Sequence, residues 1–174
     1  SECGSRVDEN GVLVMSDGSL WFGATDVKEG SAGGAVQLKD GEWISHPGTQ
    51  APITPYAMAE YEDAVWAGGP LSIYRDGRWS TDGVPEGLNA WIHDMTVSPE
   101  SGFWITTRYS GLFNRYKGAW TQYTIDDGLP NNRIESVEVF EDGSVWIGTP
   151  SGLGRFDGTA WQKGLGKLQR EFST

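Results

Sequence analysis

Apolar and polar residues alternate most cleanly in the last third of the chain. Between Ile134 and Phe140, the apolar Ile134, Val137 and Val139 are interleaved with Glu135, Ser136 and Glu138, the pattern of a half-buried strand. Val145 to Gly148 and Leu153 to Phe156 are short apolar runs rich in β-branched or aromatic residues, and Trp161 opens a fourth. Asp142-Gly143, Thr149 to Gly152 and Asp157-Gly158 separate them with the residue types that hairpin turns need. The pattern predicts a four-stranded antiparallel meander.

Three weaker copies precede it. The first expects strands at Val12 to Met15, Leu20 to Ala24, Ala35 to Leu38 and Trp43 to Ser45. The second expects Ile53 to Ala59, Ala64 to Gly68, Leu71 to Tyr74 and a short strand at Trp79, its first two strands joined without a Gly turn. The third expects Ile92 to Val97, Phe103 to Thr107, Leu112 to Tyr116 and Trp120 to Tyr123. Two tryptophans mark each copy: Trp21, Trp66, Trp104 and Trp146 at intervals of 45, 38 and 42, then Trp43, Trp79, Trp120 and Trp161 at intervals of 36, 41 and 41. Eight of the nine tryptophans thus fall in one repeat of about 40 residues, which with four strands per unit is the signature of β-propeller blades. The expected fold is all-β, with blades at about 12–46, 53–80, 92–123 and 134–163, a polar lead-in over 1–11 and a tail over 164–174.

Composition narrows the partners. Among 174 residues, 24 are acidic and 13 basic, a net charge of −11, which argues against nucleic acid and anionic membrane surfaces, since both require clustered Lys and Arg. No stretch is long and apolar enough for membrane insertion or a leader peptide, so a soluble chain is expected. Cys3 is the only cysteine, so no intrachain disulfide forms and redox compartment is not readable.

The residues Gly128-Leu-Pro-Asn-Asn132, Ile134, Asp142-Gly-Ser-Val-Trp-Ile-Gly-Thr149, Gly152-Leu153, Arg155-Phe-Asp-Gly158 and Trp161 resemble the two-component regulator propeller repeat. Phe103 to Thr107, Gly111 to Phe113 and Trp120 repeat the theme in the third copy, as does Asp17 to Gly23 in the first. The second keeps little beyond Trp66, Gly68 and Asp76-Gly77. The resemblance spans roughly residues 12 to 163 and implies the sensor region of a bacterial hybrid two-component system, in an extracellular or periplasmic setting. Propellers of that family have about seven blades, against four here. The chain is therefore expected as an excised piece of a larger propeller, as a small ring closed by side-chain packing, or as a half-ring that pairs with another copy.

The repeat residues report architecture: indoles fill wedges between blades, and Asp-Gly pairs supply φ > 0 at turns. Chemistry is sought where the repeat breaks. No metal-ligand spacing, nucleophile elbow or phosphate loop is present, and no cofactor is expected. Asp126-Asp127-Gly128 shares a fragment of a calcium loop without its remaining ligand positions, and reads as a solvated turn. The loops between second and third strands and the crossovers between blades emerge on one rim. That rim collects Asp26, Lys28, Glu29, His46, Trp91, Arg108, Tyr109, Asp126, Asn131, Asn132 and Arg133, with His93 one strand step below. Trp91 stands outside the repeat: it is either an exposed indole for stacking on a ligand or a core residue plugging the crossover. These features lead to a non-catalytic recognition module for a small molecule, glycan or protein. The alternatives are a propeller lyase or hydrolase using His93 or His46 beside a carboxylate, and a structural or oligomerising unit.

Overall fold

The computed structural model describes residues 11–24, 34–47, 55, 57–88 and 91–165. Residues 1–10 of the expected 1–11 lead-in, the 25–33 loop with Asp26, Lys28 and Glu29, and residues 166–174 of the expected 164–174 tail lie outside them. Among the described residues sixteen strands form four separate sheets, each a consecutive antiparallel meander. The first sheet holds β1 (Val12–Val14), β2 (Leu20–Ala24), β3 (Gly34–Lys39) and β4 (Glu42–Pro47). The second holds β5 (Met58–Tyr61), β6 (Ala64–Ala67), β7 (Ser72–Arg75) and β8 (Arg78–Ser80). The third holds β9 (Ile92–Ser98), β10 (Gly102–Thr107), β11 (Leu112–Tyr116) and β12 (Ala119–Tyr123). The fourth holds β13 (Ser136–Val139), β14 (Val145–Thr149), β15 (Gly152–Phe156) and β16 (Trp161–Leu165).

Turn chemistry sets these registers. Asp40-Gly41, Asp76-Gly77 and Lys117-Gly118 each place two successive residues at positive φ, the turn whose twist matches that of the flanking strands. In the second sheet Glu62 and Asp63 do the same without glycine, at φ 50° and 56°. β5 accordingly runs to Tyr61, past the expected end at Ala59, because the turn is made by residues carrying no glycine signal.

Three hydrophobic clusters lie between neighbouring sheets. Leu13, Trp21 and Ala35 of the first pack on Met58, Val65, Ala67 and Trp79 of the second. Trp66 and Ile73 of the second meet Ile92, Met95, Phe103 and Phe113 of the third. Trp104 and Leu112 of the third meet Val137, Val145 and Ile147 of the fourth. The sheets are therefore blades stacked side by side, with β1, β5, β9 and β13 innermost and successive inner strands in contact. Among the described residues no cluster joins the fourth blade to the first, and the sheets are not closed into a ring. The expectation of a small ring closed by side-chain packing is thus not met: four blades turn through an arc, leaving an end face at each terminal blade.

The paired tryptophans occupy opposite faces of each blade. The first of each pair points to the following blade and the second to the preceding one, so each interface joins indoles from two different repeats. Trp21 meets Trp79 edge-on at 6.4 Å, and Trp66 meets Trp120 at 6.0 Å. At the third interface Trp104 reaches Trp161 through Tyr123 and Phe156. Polar contacts cross the same seams: Glu60 accepts from the Ser16 amide at 2.7 Å, Arg115 pairs with Glu62 at 3.0 Å, and Asp94 accepts from the Val137 amide at 3.0 Å. Gly68 ends β6 where a Cβ would lie 3.0 Å from side-chain atoms of Ile92 and Met95, so the glycine admits the next inner strand.

Candidate functional site

The off-pattern residues of the third blade and the crossover after it gather at one end of the inner strands. Trp91 immediately precedes β9, and its carbonyl accepts from the Arg108 amide at 2.9 Å, fixing the β10–β11 loop beside it. That loop is held internally, with Thr107 Oγ1 donating to the Gly111 carbonyl at 2.8 Å and accepting from the Ser110 amide at 2.9 Å. The crossover docks on it: the Gly111 amide donates to the Asn132 carbonyl and the Ile134 amide to the Thr107 carbonyl, both at 3.0 Å. Backbone hydrogen bonds thus bring Trp91, Arg108, Tyr109, Asn132 and Arg133 together, with His93 two residues into the adjoining chain.

The side chains there are exposed, aromatic and basic. Trp91 is 59% exposed and Tyr109 67%, which decides the Trp91 alternatives against a core plug. The Arg108 guanidinium lies 5.6 Å from the Tyr109 ring centre, and no ion pair engages it among the described residues. Arg133 pairs with Glu135 at 2.9 Å. His93 is half-buried, its Nε2 enclosed and without a hydrogen-bond partner among the described residues. Burial lowers its pKa, and the Arg108 and Arg133 guanidiniums lower it further against the opposing pull of Glu135 and Asp94. His93 is therefore neutral at pH 7, within the electrostatic reach of both guanidiniums.

The remaining expected residues play other parts. Asn131 donates to Ser151 Oγ at 2.9 Å and accepts from the Arg133 amide at 2.9 Å, while Asn132 Oδ1 accepts from the Ile125 amide at 2.8 Å; both set the crossover's shape. Asp126 sits exposed in a single 3-10 turn, Ile125–Asp127, whose end is capped by Thr124 and Asp127. His46 lies apart, on β4 in the seam between the first two blades. It stacks on Trp21 at 4.5 Å, lies 4.6 Å from Tyr74, and its Nε2 is 3.1 Å from Gln37 Oε1. Burial lowers its pKa as well, but its surroundings are those of a packed ring.

Asp94 and Glu135, which the repeat pattern does not single out, complete the charge set around His93. Asp94 accepts from the amides of Met95 and Val137, and Glu135 is held by Arg133. The opposite end of the blades carries a separate open groove of about 490 Å³, lined by Glu60, Tyr61, Glu62, Val97 and Tyr116 among others. Two of its carboxylates are engaged by neighbours, Glu60 by Ser16 and Glu62 by Arg115. The exposed Trp91 and Tyr109 rings and the Arg108 guanidinium are at the other end.

Four consecutive antiparallel blades, each sealed to the next by tryptophans, define an open arc of a β-propeller. No protein-family model matches the chain, nor does any curated protein match it by sequence. Solved structures do match its shape. The extracellular domain of the hybrid two component system BT4673 from B. thetaiotaomicron superposes over 88% of this chain and 20% of its own, with a TM-score of 0.65 and 21% identity. PorZ, a surface component of the type-IX secretion system of Porphyromonas gingivalis, matches over 89% of this chain and 26% of its own, at 0.60 and 16%. Virginiamycin B lyase from Staphylococcus aureus matches over 87% and 53%, at 0.65 and 16%. The chain thus spans between a fifth and about half of these proteins' lengths. At such identities the likeness establishes the propeller fold. No helix among the described residues is long and apolar enough to cross a membrane.

Proposed function

We propose that the chain is a recognition module of the two-component regulator propeller type, working in an extracellular or periplasmic setting and binding its ligand at the Trp91 end of the third and fourth blades. The observation that carries this reading is the juxtaposition of Trp91, His93, Arg108, Tyr109 and Arg133 in a chain whose net charge is −11. Exposed rings offer apolar faces for stacking, and the Arg108 guanidinium, engaged by no ion pair among the described residues, offers forked donors to a carboxylate or similar anion. A small molecule or glycan with both a ring face and an acidic group fits that chemistry best; a protein side-chain cluster of the same character is the larger version of it.

The lyase or hydrolase alternative places His93 as the proton carrier, neutral at pH 7 and near Glu135 and Asp94. Against it, Glu135 is tied to Arg133 and both carboxylate oxygens of Asp94 accept from main-chain amides. Calorimetric titration of acidic and neutral oligosaccharides against the wild type, Trp91→Ala and Arg108→Ala tests the reading. Heat from an acidic ligand that both substitutions abolish, with the ligand recovered intact, is expected. Chemical change of the ligand that His93→Gln stops would move the site to the enzyme class, and equal binding by all three proteins would remove the site from this surface.

A further inference from the structure

The two end faces of the arc are halves of the same joint. Along each blade one rung of four paired residues faces the preceding blade: Glu60, Val65, Tyr74 and Trp79 in the second, Val97, Phe103, Arg115 and Trp120 in the third, Val139, Val145, Phe156 and Trp161 in the fourth. In all three the tryptophan is packed in an interface cluster. The corresponding rung of the first blade is Val14, Leu20, Leu38 and Trp43, and among the described residues it faces no blade. Trp43 is 65% exposed and Val14 53%, and Phe22 stands beside Trp43 at 5.7 Å on the same face.

The fourth blade presents the other half. Trp146 is the first tryptophan of its repeat, the position that in the other three blades is buried to 2% or less against the next blade. Here it is half-exposed, flanked by Phe140 at 6.0 Å and Arg155 at 5.8 Å, with exposed Leu153 on the same face. One end therefore lacks the partner that the other end carries: Trp43 is missing a first-position indole, and Trp146 a second-position one.

We propose that two copies of this chain associate head to tail, the Trp146 face of each seated on the Trp43 face of the other, closing an eight-bladed ring. Each joint repeats what Trp21–Trp79 and Trp66–Trp120 already do inside one chain, an edge-on indole pair at the centre of an apolar seam. A heterologous contact of this kind, made twice around a two-fold axis, satisfies all four end faces with no new chemistry. Burial of such bare apolar sheet faces is the ordinary driving force for association. With 24 acidic residues in each copy, the association strengthens as salt screens the repulsion between them.

Sedimentation equilibrium of the 174-residue chain over a concentration series, in low and high salt, is the test. A species of twice the 19.0 kDa chain mass is expected as concentration rises. Trp43→Glu and Trp146→Glu are each expected to remain single, with unchanged circular dichroism, because both residues are surface residues within one copy. Mixed, they are expected to form a heterodimer through their one intact joint, at an apparent Kd at least tenfold weaker than the wild-type dimer's. Val14→Glu and Leu153→Glu, on the same two faces, repeat the design should either tryptophan variant fail to fold. A Trp43→Glu protein that still dimerises alone means that like faces pair, and overturns the head-to-tail joint. A ladder of growing species with no stop at the dimer overturns the closed ring. A chain that stays single at every concentration overturns the pairing of copies.

Discussion

Trp66 and Trp146 hold the same position in the repeat, yet the structure assigns them unequal weight. Trp66 is 1% exposed and donates from Nε1 to the Tyr61 carbonyl at 2.9 Å. Its indole meets Phe103 at 5.2 Å and Trp120 at 6.0 Å, with the Arg115 guanidinium 5.5 Å away. Trp66→Ala removes a buried ring from the seam between the second and third blades, a change that costs roughly 3–5 kcal/mol through lost transfer energy and the cavity left behind. Its aromatic partners add to the loss, each such pair being worth about 0.5–1.5 kcal/mol beyond area. For a domain of this size the expected fall in Tm is on the order of 6–20 °C. Trp146→Ala deletes a half-exposed ring whose single-chain contacts are Phe140, Arg155 and a hydrogen bond to Ser144 Oγ at 3.1 Å, and costs about 1 kcal/mol. Urea denaturation followed by circular dichroism, at protein concentrations where the chain is single, measures both. Equal costs for the two variants, or a Trp66→Ala cost near 1 kcal/mol, would refute the assignment of the first tryptophan as a wedge toward the following blade.

Other outcomes follow from individual residues. Asp17 has its pKa lowered to about 2, chiefly by Lys39 and then by Ser19, so its contribution to stability is complete above the unfolded value of 3.8. That contribution is lost as pH falls from there through about 2, and Asp17→Asn is expected to flatten the acid limb of a denaturation profile over that window. His93 runs the other way in charge but not in direction: its pKa is lowered in the fold, so protonation favours unfolding, and stability declines as pH drops below the ordinary 6.5. His93→Gln reduces that decline, measured as the pH dependence of Tm. Gly68→Ala, with its new methyl 3.0 Å from Ile92 and Met95, is expected to lower stability by roughly 1–3 kcal/mol in the same urea experiment. Trp91→Ala, at an exposed position, is expected to leave stability within about 0.5 kcal/mol while removing ligand heat in calorimetry.

The tryptophan spacing makes the blades legible in the sequence, because one residue type serves both faces of every sheet at a fixed strand position. What spacing cannot convey is which face each tryptophan takes, since that depends on strand register; the cross-repeat pairs Trp21–Trp79 and Trp66–Trp120 emerge only with the sheets in place. The turn at Glu62-Asp63 carries none of the glycine that marks the other hairpins, so its position is invisible to turn chemistry. Of the two histidines, His93 falls within the rim cluster, whereas His46, equally polar in sequence, is absorbed by Trp21 and Tyr74. Asp94 on β9 and Glu135 just before β13 act on His93 from positions that read in the sequence as ordinary alternating polar residues. Arg115 likewise reads as a surface residue, yet lies between Trp66 and Trp120 with its charge balanced by Glu62.

A double-mutant cycle on Trp66 and Trp120 addresses the paired-indole seam most directly. Trp66→Ala, Trp120→Ala and the double variant are compared by urea unfolding. A coupling of roughly 0.5–1.5 kcal/mol is the predicted result, with none between Trp43 and Trp146 in the dilute single chain. Additive losses at Trp66 and Trp120 would contradict a fold held together by tryptophans that meet across neighbouring repeats.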